Sequence, residues 1–344
     1  MKMDRNSLTK RPGRNVTLKH VAQEAGTSPF TASVVLNGSK SNTRVSEATR
    51  ERILTTAKAL GYQPNGLARA LKSNKTNILG LYFGYGQLEP HDPFHAEILT
   101  GLQKGCEATK KDLMIHYSFH QYSVGQVFSE LAGGKIDGLV LIASPTDPLV
   151  EKVRGSNLAV VAVTDAIEGI PSVVADDAAG SVLIANHLFE KGHRTVLYRL
   201  CPGESASALG RFNAFKARAQ ELGMQVITGR TTNWKGLLEA DESGLLARRG
   251  ELGITAAVCW GDPSANALIA YCKSHGIKVP EDLAVVGFNG IEPPVEPAHV
   301  LTTIRAGWST VAERAVYHLV SVLEGREVSP VTTLPVSLLV GNTT

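Results

Sequence analysis

From Ile78 onward, short apolar runs alternate with helical stretches, and this alternation restricts the fold more than any other feature of the chain. The runs are ILGLYF (78–83), LMIHYSF (113–119), GLVLIA (138–143), AVVAV (159–163), SVV (172–174), TVLYRL (195–200), AAVCW (256–260) and LAVVGF (283–288). Helical periodicity falls between them at 94–110, 123–132, 178–191, 207–222, 236–250, 263–275 and 308–324. Runs apolar on both faces read as parallel strands covered by helices on both sides. About 265 residues of this pattern is long for one doubly wound unit and suits two such lobes. No G-x-G-x-x-G follows a strand and no phosphate-cradling P-loop is present, so a dinucleotide or ATP reading has little support.

The residues before this region follow a different rule. Leu18, Val21, Ala22 and Ala25 fall on one helical face. Thr17 can cap that helix, and Gly26 can end it in a left-handed conformation. Ser28 then caps a second helix from Pro29 to about Leu36, with proline where a missing N–H costs nothing. Its inward residues are expected to be Ala32, Val35 and Leu36. Two short helices joined by a glycine-containing turn form a helix-turn-helix. Ser46 caps a third helix over 47–60, with Ile53, Leu54, Ala57 and Leu60 as its core stripe. After the break at 62–65, Gly66 to Lys72 reads as a short helix, too short to be stable by itself. It is expected to order only against a partner chain and DNA.

Charge divides the chain at the same place. Through Asn77 there are fourteen Lys and Arg against four Asp and Glu, a net of +10; with +3 for the whole chain, the remainder carries −7. Such a split points to a polyanionic partner at the N-terminal end and a self-contained acidic body behind it. Residues 1–14 read as a basic flexible arm. Cys106, Cys201, Cys259 and Cys272 show no metal-ligand or disulfide spacing and read as buried thiols of a reducing compartment. No apolar leader follows the basic N-terminus and no run approaches a membrane span, so a soluble cytoplasmic protein is expected.

Taken together, these motifs resemble the LacI/GalR family of transcription regulators over essentially the whole chain. The specific part is T-L-x-x-V-A-x-x-A-G-x-S at 17–28, then T-A-S-x-V-L-N at 31–37, VSEATRERI at 45–53 and GYQPNGLARALK at 61–72. DPFHAEILTGL (92–102), IDGLVLIAS (136–144), ADDAAGSVLIANHLFEKGHR (175–194), RFNAF (211–215), KVPEDLAVVGFN (278–289), LTTIR (301–305) and LPVSLLV (334–340) continue it in order. The resemblance implies an α/β protein: an all-α helix-turn-helix domain ahead of a two-lobed, parallel-sheet, periplasmic-binding-protein-like core. It places the DNA-binding domain at 1–61, a hinge helix and linker at 62–76, and the core at 77–344. The first lobe would take about 77–175 and 307–331, and the second 176–306 and 332–344.

For the DNA end, the resemblance assigns contacts to Ser28, Phe30, Thr31, Ser33 and Asn37 on the second helix, which would enter the major groove. Hydroxyls can bond phosphates or base edges, and Phe30 can pack on a thymine methyl. Thr17, Ser46 and Tyr62 join them, with Asn65, Arg69 and Lys72 on the backbone of the hinge site. Leu71 matches the leucine that wedges into the minor groove at the centre of the operator. The operator would be a pseudo-palindrome centred on a flexible pyrimidine–purine step, CG by expectation, read by a homodimer. Without a heptad tail, a C-terminal tetramer is not expected. The chain departs from the usual pattern at Pro29, Phe30 and Val34, where hydrogen-bonding residues are common, so fewer guanine edges should be read. The longer loop SKSNTR offers Lys40 or Arg44 as an added backbone contact.

For the effector end, Arg211 matches the pocket arginine that forks onto hydroxyls or a carboxylate. Phe94, Trp234 and Trp308 fall at aromatic wall positions, Asp262 follows the strand AAVCW, and Asp176 and Asp177 lie at the crossover between lobes. Gly261 stands where an Asn is usual, and Asn289 where an Asp is usual. Those changes point to a sugar-like effector poorer in donors than a typical neutral sugar, or to an acidic one. The function expected is a ligand-responsive regulator, a repressor by preference. The alternative, a solute-binding protein without a DNA role, predicts a secretory signal that the sequence does not carry. No paired carboxylates or nucleophile elbow suggest an enzyme, and no cofactor or metal is expected. The HxxxH pairs His91–His95 and His116–His120 lack a third ligand.

Overall fold

The structure, a computed structural model, describes residues 16–37, 44–73, 75–86, 88–89, 91–116, 122–203, 205–291 and 299–344; of residues 67, 71 and 72 it describes the backbone alone. The expectations for the N-terminal arm, Lys40, and the Leu71 and Lys72 side chains therefore lie outside the described residues. Two compact units divide the chain, Met1–Thr76 and Asn77–Thr344.

The first unit holds α1 (Leu18–Glu24), α2 (Pro29–Asn37), α3 (Glu47–Ala59) and α4 (Gly66–Ser73). Thr17 Oγ1 accepts from His20 N, and His20 Nδ1 accepts from Thr17 N in return, both at 3.3 Å. Ser28 Oγ accepts from Thr31 N at 3.0 Å and Ser46 Oγ from Thr49 N at 3.3 Å, so each of the first three helices starts on a hydroxyl cap. Gly26 turns the chain between α1 and α2 at φ +60°. Val21, Ala22, Ala25, Ala32, Val35, Ile53 and Ala57 form the shared core. Leu54 and Leu60, expected in it, are exposed. The reason is length: α1 and α2 have 7 and 9 residues and cover only a narrow stripe of the 13-residue α3. In α2 the buried positions are Ala32, Val34 and Val35, and Leu36 is only half-buried. Arg52 Nε closes the unit by donating to Ala25 O at the end of α1, 2.9 Å away. α4 is helical in the single chain, where order was expected only on DNA. Local caps account for it: Asn65 Oδ1 accepts from Ala68 N at 3.3 Å, and Ser73 Oγ donates to Arg69 O at 2.9 Å.

The second unit contains two parallel sheets. β1 (Ile78–Phe83), α5 (Pro93–Thr109), β2 (Asp112–His116), α6 (Val124–Ala132), β3 (Gly138–Ile142), α7 (Pro148–Arg154), β4 (Ala159–Val163) and β5 (Ser172–Ala175) build the first lobe. The chain then crosses to α8 (Asp177–Glu190), β6 (Thr195–Leu200), α9 (Ala206–Glu221), β7 (Gln225–Arg230), α10 (Ala240–Ala247), α11 (Arg249–Leu252), β8 (Ile254–Cys259), α12 (Asp262–Ser274), β9 (Ala284–Val286) and β10 (Thr303–Arg305). α13 (Trp308–Leu323) and β11 (Val331–Leu334) return to the first lobe, and β12 (Ser337–Leu339) pairs antiparallel with β10. The sheet orders are β11-β5-β4-β3-β1-β2 and β7-β6-β8-β9. Because β11 pairs with β5 through Leu334, the last crossing falls between Leu334 and Ser337, beyond the expected boundary at 331. The helix expected over 236–250 begins only at Ala240, since Gly236 turns at φ +68°, and it breaks again at Arg248.

Leu79, Leu81, Val161 and Val163 bury against α5 and α13, and Val196, Tyr198 and Phe215 extend the same core into the second lobe. Cys106, Cys259 and Cys272 are buried free thiols, whereas Cys201, at the end of β6, is only half-buried. No helix among the described residues is long and apolar enough to cross a membrane.

Candidate functional site

Two regions gather the residues singled out by sequence. In the first unit, Ser28, Pro29 and Phe30 are exposed at the start of α2, with Phe30 at 60%. A phenylalanine so exposed gains little burial from its own fold. Thr31, Ser33 and Asn37 are half-buried, and Asn37 Nδ2 donates to Ser33 Oγ at 3.1 Å. Val34 is buried, so this position offers no side chain to the surface that carries Phe30. Thr17 and Ser46 are exposed caps at the N-terminal ends of α1 and α3, where free N–H groups and the helix dipole favour an anion. Tyr62 packs on the three-helix core, and Arg69 and Asn65 are exposed.

In the second unit, side chains converge at the C-terminal ends of the parallel strands, where ligand crevices of such sheets lie. Arg211, on α9, is 5% exposed. Its Nε donates to Asp177 Oδ1 at 2.6 Å and its Nη1 to Trp260 O at 3.0 Å, while the guanidinium lies 3.9 Å over the Phe288 ring. Burial pushes the Asp177 carboxyl up, and the guanidinium draws it back. Asp176 is not part of this cluster: its Oδ1 caps α8 by accepting from Ala179 N at 2.9 Å. Asp177, one residue on, is the partner of Arg211.

Asp262 is buried at the start of α12, accepting from Thr303 Oγ1 at 2.6 Å and Ile291 N at 3.0 Å. Burial raises its carboxyl to about 6 against the pull of those donors. Asn289, at φ +118°, accepts through Oδ1 from Trp308 Nε1 at 3.2 Å. Trp308 is buried and meets the Phe94 ring edge-on at 5.2 Å. A Cβ at Gly261 would lie 3.4 Å from Asn289 Nδ2, so the two departures from the family pattern share one space.

Trp234 is 44% exposed. It stands edge-on to Tyr85 at 5.9 Å and to Trp260 at 5.6 Å. Trp260 Nε1 is buried with no hydrogen-bond partner among the described residues, although such N–H groups almost always find one. The Tyr85 hydroxyl donates to Asp165, a carboxylate only 1% exposed. Burial first, and then that carboxylate, push the Tyr85 phenol well up. Tyr85, Asp165 and Trp260 were not assigned from sequence. The signal was available for them, since each follows a strand at its C-terminal end.

Behind the aromatic wall lies a buried ion pair. Arg199 and Glu242 are both inaccessible and joined by two 2.9 Å bonds. Arg199 also donates to Gly236 O at 2.9 Å and Ser264 O at 2.7 Å, fixing the turn after Trp234 and the start of α12. Of the histidine pairs, His120 lies outside the described residues, and His95 Nδ1 accepts from Glu89 N at 3.0 Å. No group of three ligating side chains occurs among the described residues.

The sequence model of bacterial regulatory proteins of the lacI family matches residues 17–65, and that of a periplasmic-binding-protein-like domain matches residues 185–344. The chain belongs to the LacI/GalR family. It is a transcription regulator with a DNA-binding domain and an effector-binding domain. The HTH-type transcriptional repressor PurR of Salmonella paratyphi A is 28% identical over 312 residues, covering 87% of this regulator and 88% of PurR. Among solved structures, the lac repressor dimer bound to operator and the anti-inducer ONPF superposes with a TM-score of 0.80 at 23% identity, covering 96% of this chain and 99% of that one. The CelR–cellobiose complex gives 0.68 at 24% identity, covering 96% and 100%. At these identities the structural likeness speaks for the fold.

Proposed function

We propose that this regulator is a repressor that binds a pseudo-palindromic operator as a homodimer, with its affinity set by a neutral, sugar-like effector held between the two lobes. The observation that carries the DNA half is Phe30, an apolar ring held out at the start of α2 in a strongly basic unit. Such a side chain suits a thymine methyl in the major groove. Thr17 and Ser46 would set their helix ends against phosphates, and Ser28, Thr31, Ser33 and Asn37 would complete the α2 contacts. Tyr62, Asn65, Arg69, Leu71 and Lys72 would serve the hinge site, with Leu71 as the wedge. Selection of bound duplexes from a random library tests this half. Symmetric sites with thymine opposite Phe30 are expected, and a collection without shared sequence would refute it.

The effector half rests on the wall formed by Trp234, Tyr85 and Trp260, with an unused indole N–H beside it. Aromatic faces suit the apolar faces of sugar rings, and a hydroxyl of such a ring would satisfy Trp260 Nε1. Phe94 and Trp308 would close the opposite wall, with Asn289 and Asp262 as polar contacts. Charge argues against an acidic effector. Asp165, Asp177 and Asp262 lie around Arg211, which is already engaged by Asp177 and Trp260 O. The CelR neighbour, solved with cellobiose, is in keeping with a neutral sugar. A thermal-shift screen of the full-length protein against neutral sugars, sugar acids and nucleobases separates the classes. Stabilisation by sugar acids alone would overturn this assignment.

A further inference from the structure

The apolar run TVLYRL carries an arginine at its fifth position, and the fold places it inside, fully buried. A guanidinium has five N–H donors, and Arg199 uses them all. Nε and Nη2 donate to the two carboxylate oxygens of Glu242, each at 2.9 Å. The other three bonds leave the ion pair: Nη2 donates to Gly236 O at 2.9 Å, and Nη1 to Ser264 O at 2.7 Å and Ser264 Oγ at 2.9 Å. Gly236 lies in the turn that carries Trp234, and Ser264 lies on α12 two residues after Asp262. The turn is closed on itself. Thr231 Oγ1 donates to Leu237 O at 3.1 Å, Leu237 N to Asn233 Oδ1 at 2.9 Å, and Gly236 N to Asn233 O at 3.1 Å. It can therefore shift as one piece, and Arg199 ties that piece to α12. A Cβ at Gly236 would fall 2.3 Å from Ser264 Cα, so backbone rests on backbone at the tie. Glu242 is given room in the same way, since a Cβ at Gly229 would lie 2.9 Å from its Cγ.

Stability alone does not account for this pair. Apolar side chains of similar volume serve a buried position as well as an ion pair does, without its desolvation cost. What they cannot do is bind carbonyls of two separate segments at once. Resting on the effector reading above, we propose that Arg199 is a positioning residue of the effector site. It fixes the Trp234 turn against the start of α12, and so sets the spacing between the aromatic wall and Asp262 without itself touching the effector. Glu242 neutralises the guanidinium and holds it in place. Trp234 is 44% exposed, so burial holds it only in part, and its edge-on contact with Trp260 at 5.6 Å depends on the seat of its turn. An effector then meets a wall already formed and does not have to order one on binding.

The test replaces the pair as a unit in the full-length protein, Arg199→Met together with Glu242→Leu, which keeps the volume and removes the tie. Labelling with 5-fluorotryptophan gives fluorine resonances for the three tryptophans, assigned by single Trp→Phe changes. Without effector, the Trp234 resonance of the double variant is expected to move toward its position in the urea-unfolded chain. Trp308, on the opposite wall, is the internal control and should keep its wild-type resonance. The urea midpoint should stay near that of the wild type. Glucose, galactose and ribose serve as neutral probes; the Kd of any that binds the wild type should rise about tenfold or more, the scale of re-ordering a freed turn on binding. If the double variant folds poorly, Arg199→Lys repeats the measurements: it keeps a cation against Glu242, but its three donors cannot meet five acceptors. Two results would overturn the proposal: a Trp234 resonance that does not move in a folded variant, or one that moves while sugar affinity stays at the wild-type value. Failure of the effector reading shows separately, as a wild type that binds no neutral sugar while the Trp234 resonance still reports the tie.

Discussion

Arg211 divides its guanidinium between a carboxylate on α8 and a carbonyl after β8, and it packs on an aromatic ring. A lysine cannot reproduce that fork. Arg211→Lys is expected to weaken effector binding at least about tenfold, the equivalent of one lost charge-assisted hydrogen bond. DNA affinity without effector should stay as it was. Ligand titrations followed by tryptophan fluorescence, beside anisotropy on operator DNA, check both arms. Asp262 adds a pH signature. Its folded-state value, raised to about 6, lies above the unfolded one, so its stabilising share is complete below about pH 4 and is lost as pH rises through 6. That loss is on the order of 3 kcal/mol. Asp262→Asn keeps a neutral side chain at every pH and should gain on the wild type in urea midpoint between pH 4 and 7; parallel profiles would contradict this. At this scale the sequence was only partly legible. Arg211, Asp262 and Trp234 sit in recognisable motifs. Asp165 and Tyr85 owe their importance to an approach of segments 80 residues apart, which no local pattern encodes.

Helix and strand ends follow from short-range chemistry, and this is why they could be read. The caps at Thr17, Ser28 and Ser46 act three residues along the chain, and the glycine at 26 acts on its own backbone. The central parallel strands announce themselves because both faces are buried. β7, β10, β11 and β12 were missed: all are short or half-exposed, so their residues mix polar and apolar character. Leu54 and Leu60 were misassigned because helical spacing gives the face and not the extent to which neighbours cover it. The Arg199–Glu242 pair belongs to this scale, since it joins β6, α10, the turn after Trp234 and α12. Removing one partner leaves a buried charge unpaired, so Glu242→Ala should cost about 3–5 kcal/mol in chemical denaturation. Replacing both by apolar residues of similar volume should recover much of that. Equal losses in the single and double variants would show that the pair contributes through shape rather than charge.

Across the whole molecule, the chain passes between the lobes three times, after β5, after β10 and after β11. Three connections would let the lobes turn without separating, and a ligand could shift such an equilibrium only by its difference in affinity between the two states. In the proposed function an effector acts by binding one arrangement of the lobes more tightly than the other. By the same proposal the basic unit reads an operator and the acidic unit gates it, a division that follows the charge of the sequence. Wedge and helix should separate experimentally: Leu71→Ala is expected to lose specific affinity while keeping most of the salt-dependent non-specific binding, and equal loss of both would remove the wedge role. Whether the protein is a ligand-gated dimeric reader of DNA is decided by selecting duplexes from a random library with the full-length protein, then titrating the selected site with and without a stabilising sugar. Two inverted half-sites about a pyrimidine–purine centre are expected, with affinity moved at least about tenfold by the sugar. Asymmetric sites, or an affinity that no ligand of the protein alters, would contradict a gated dimer.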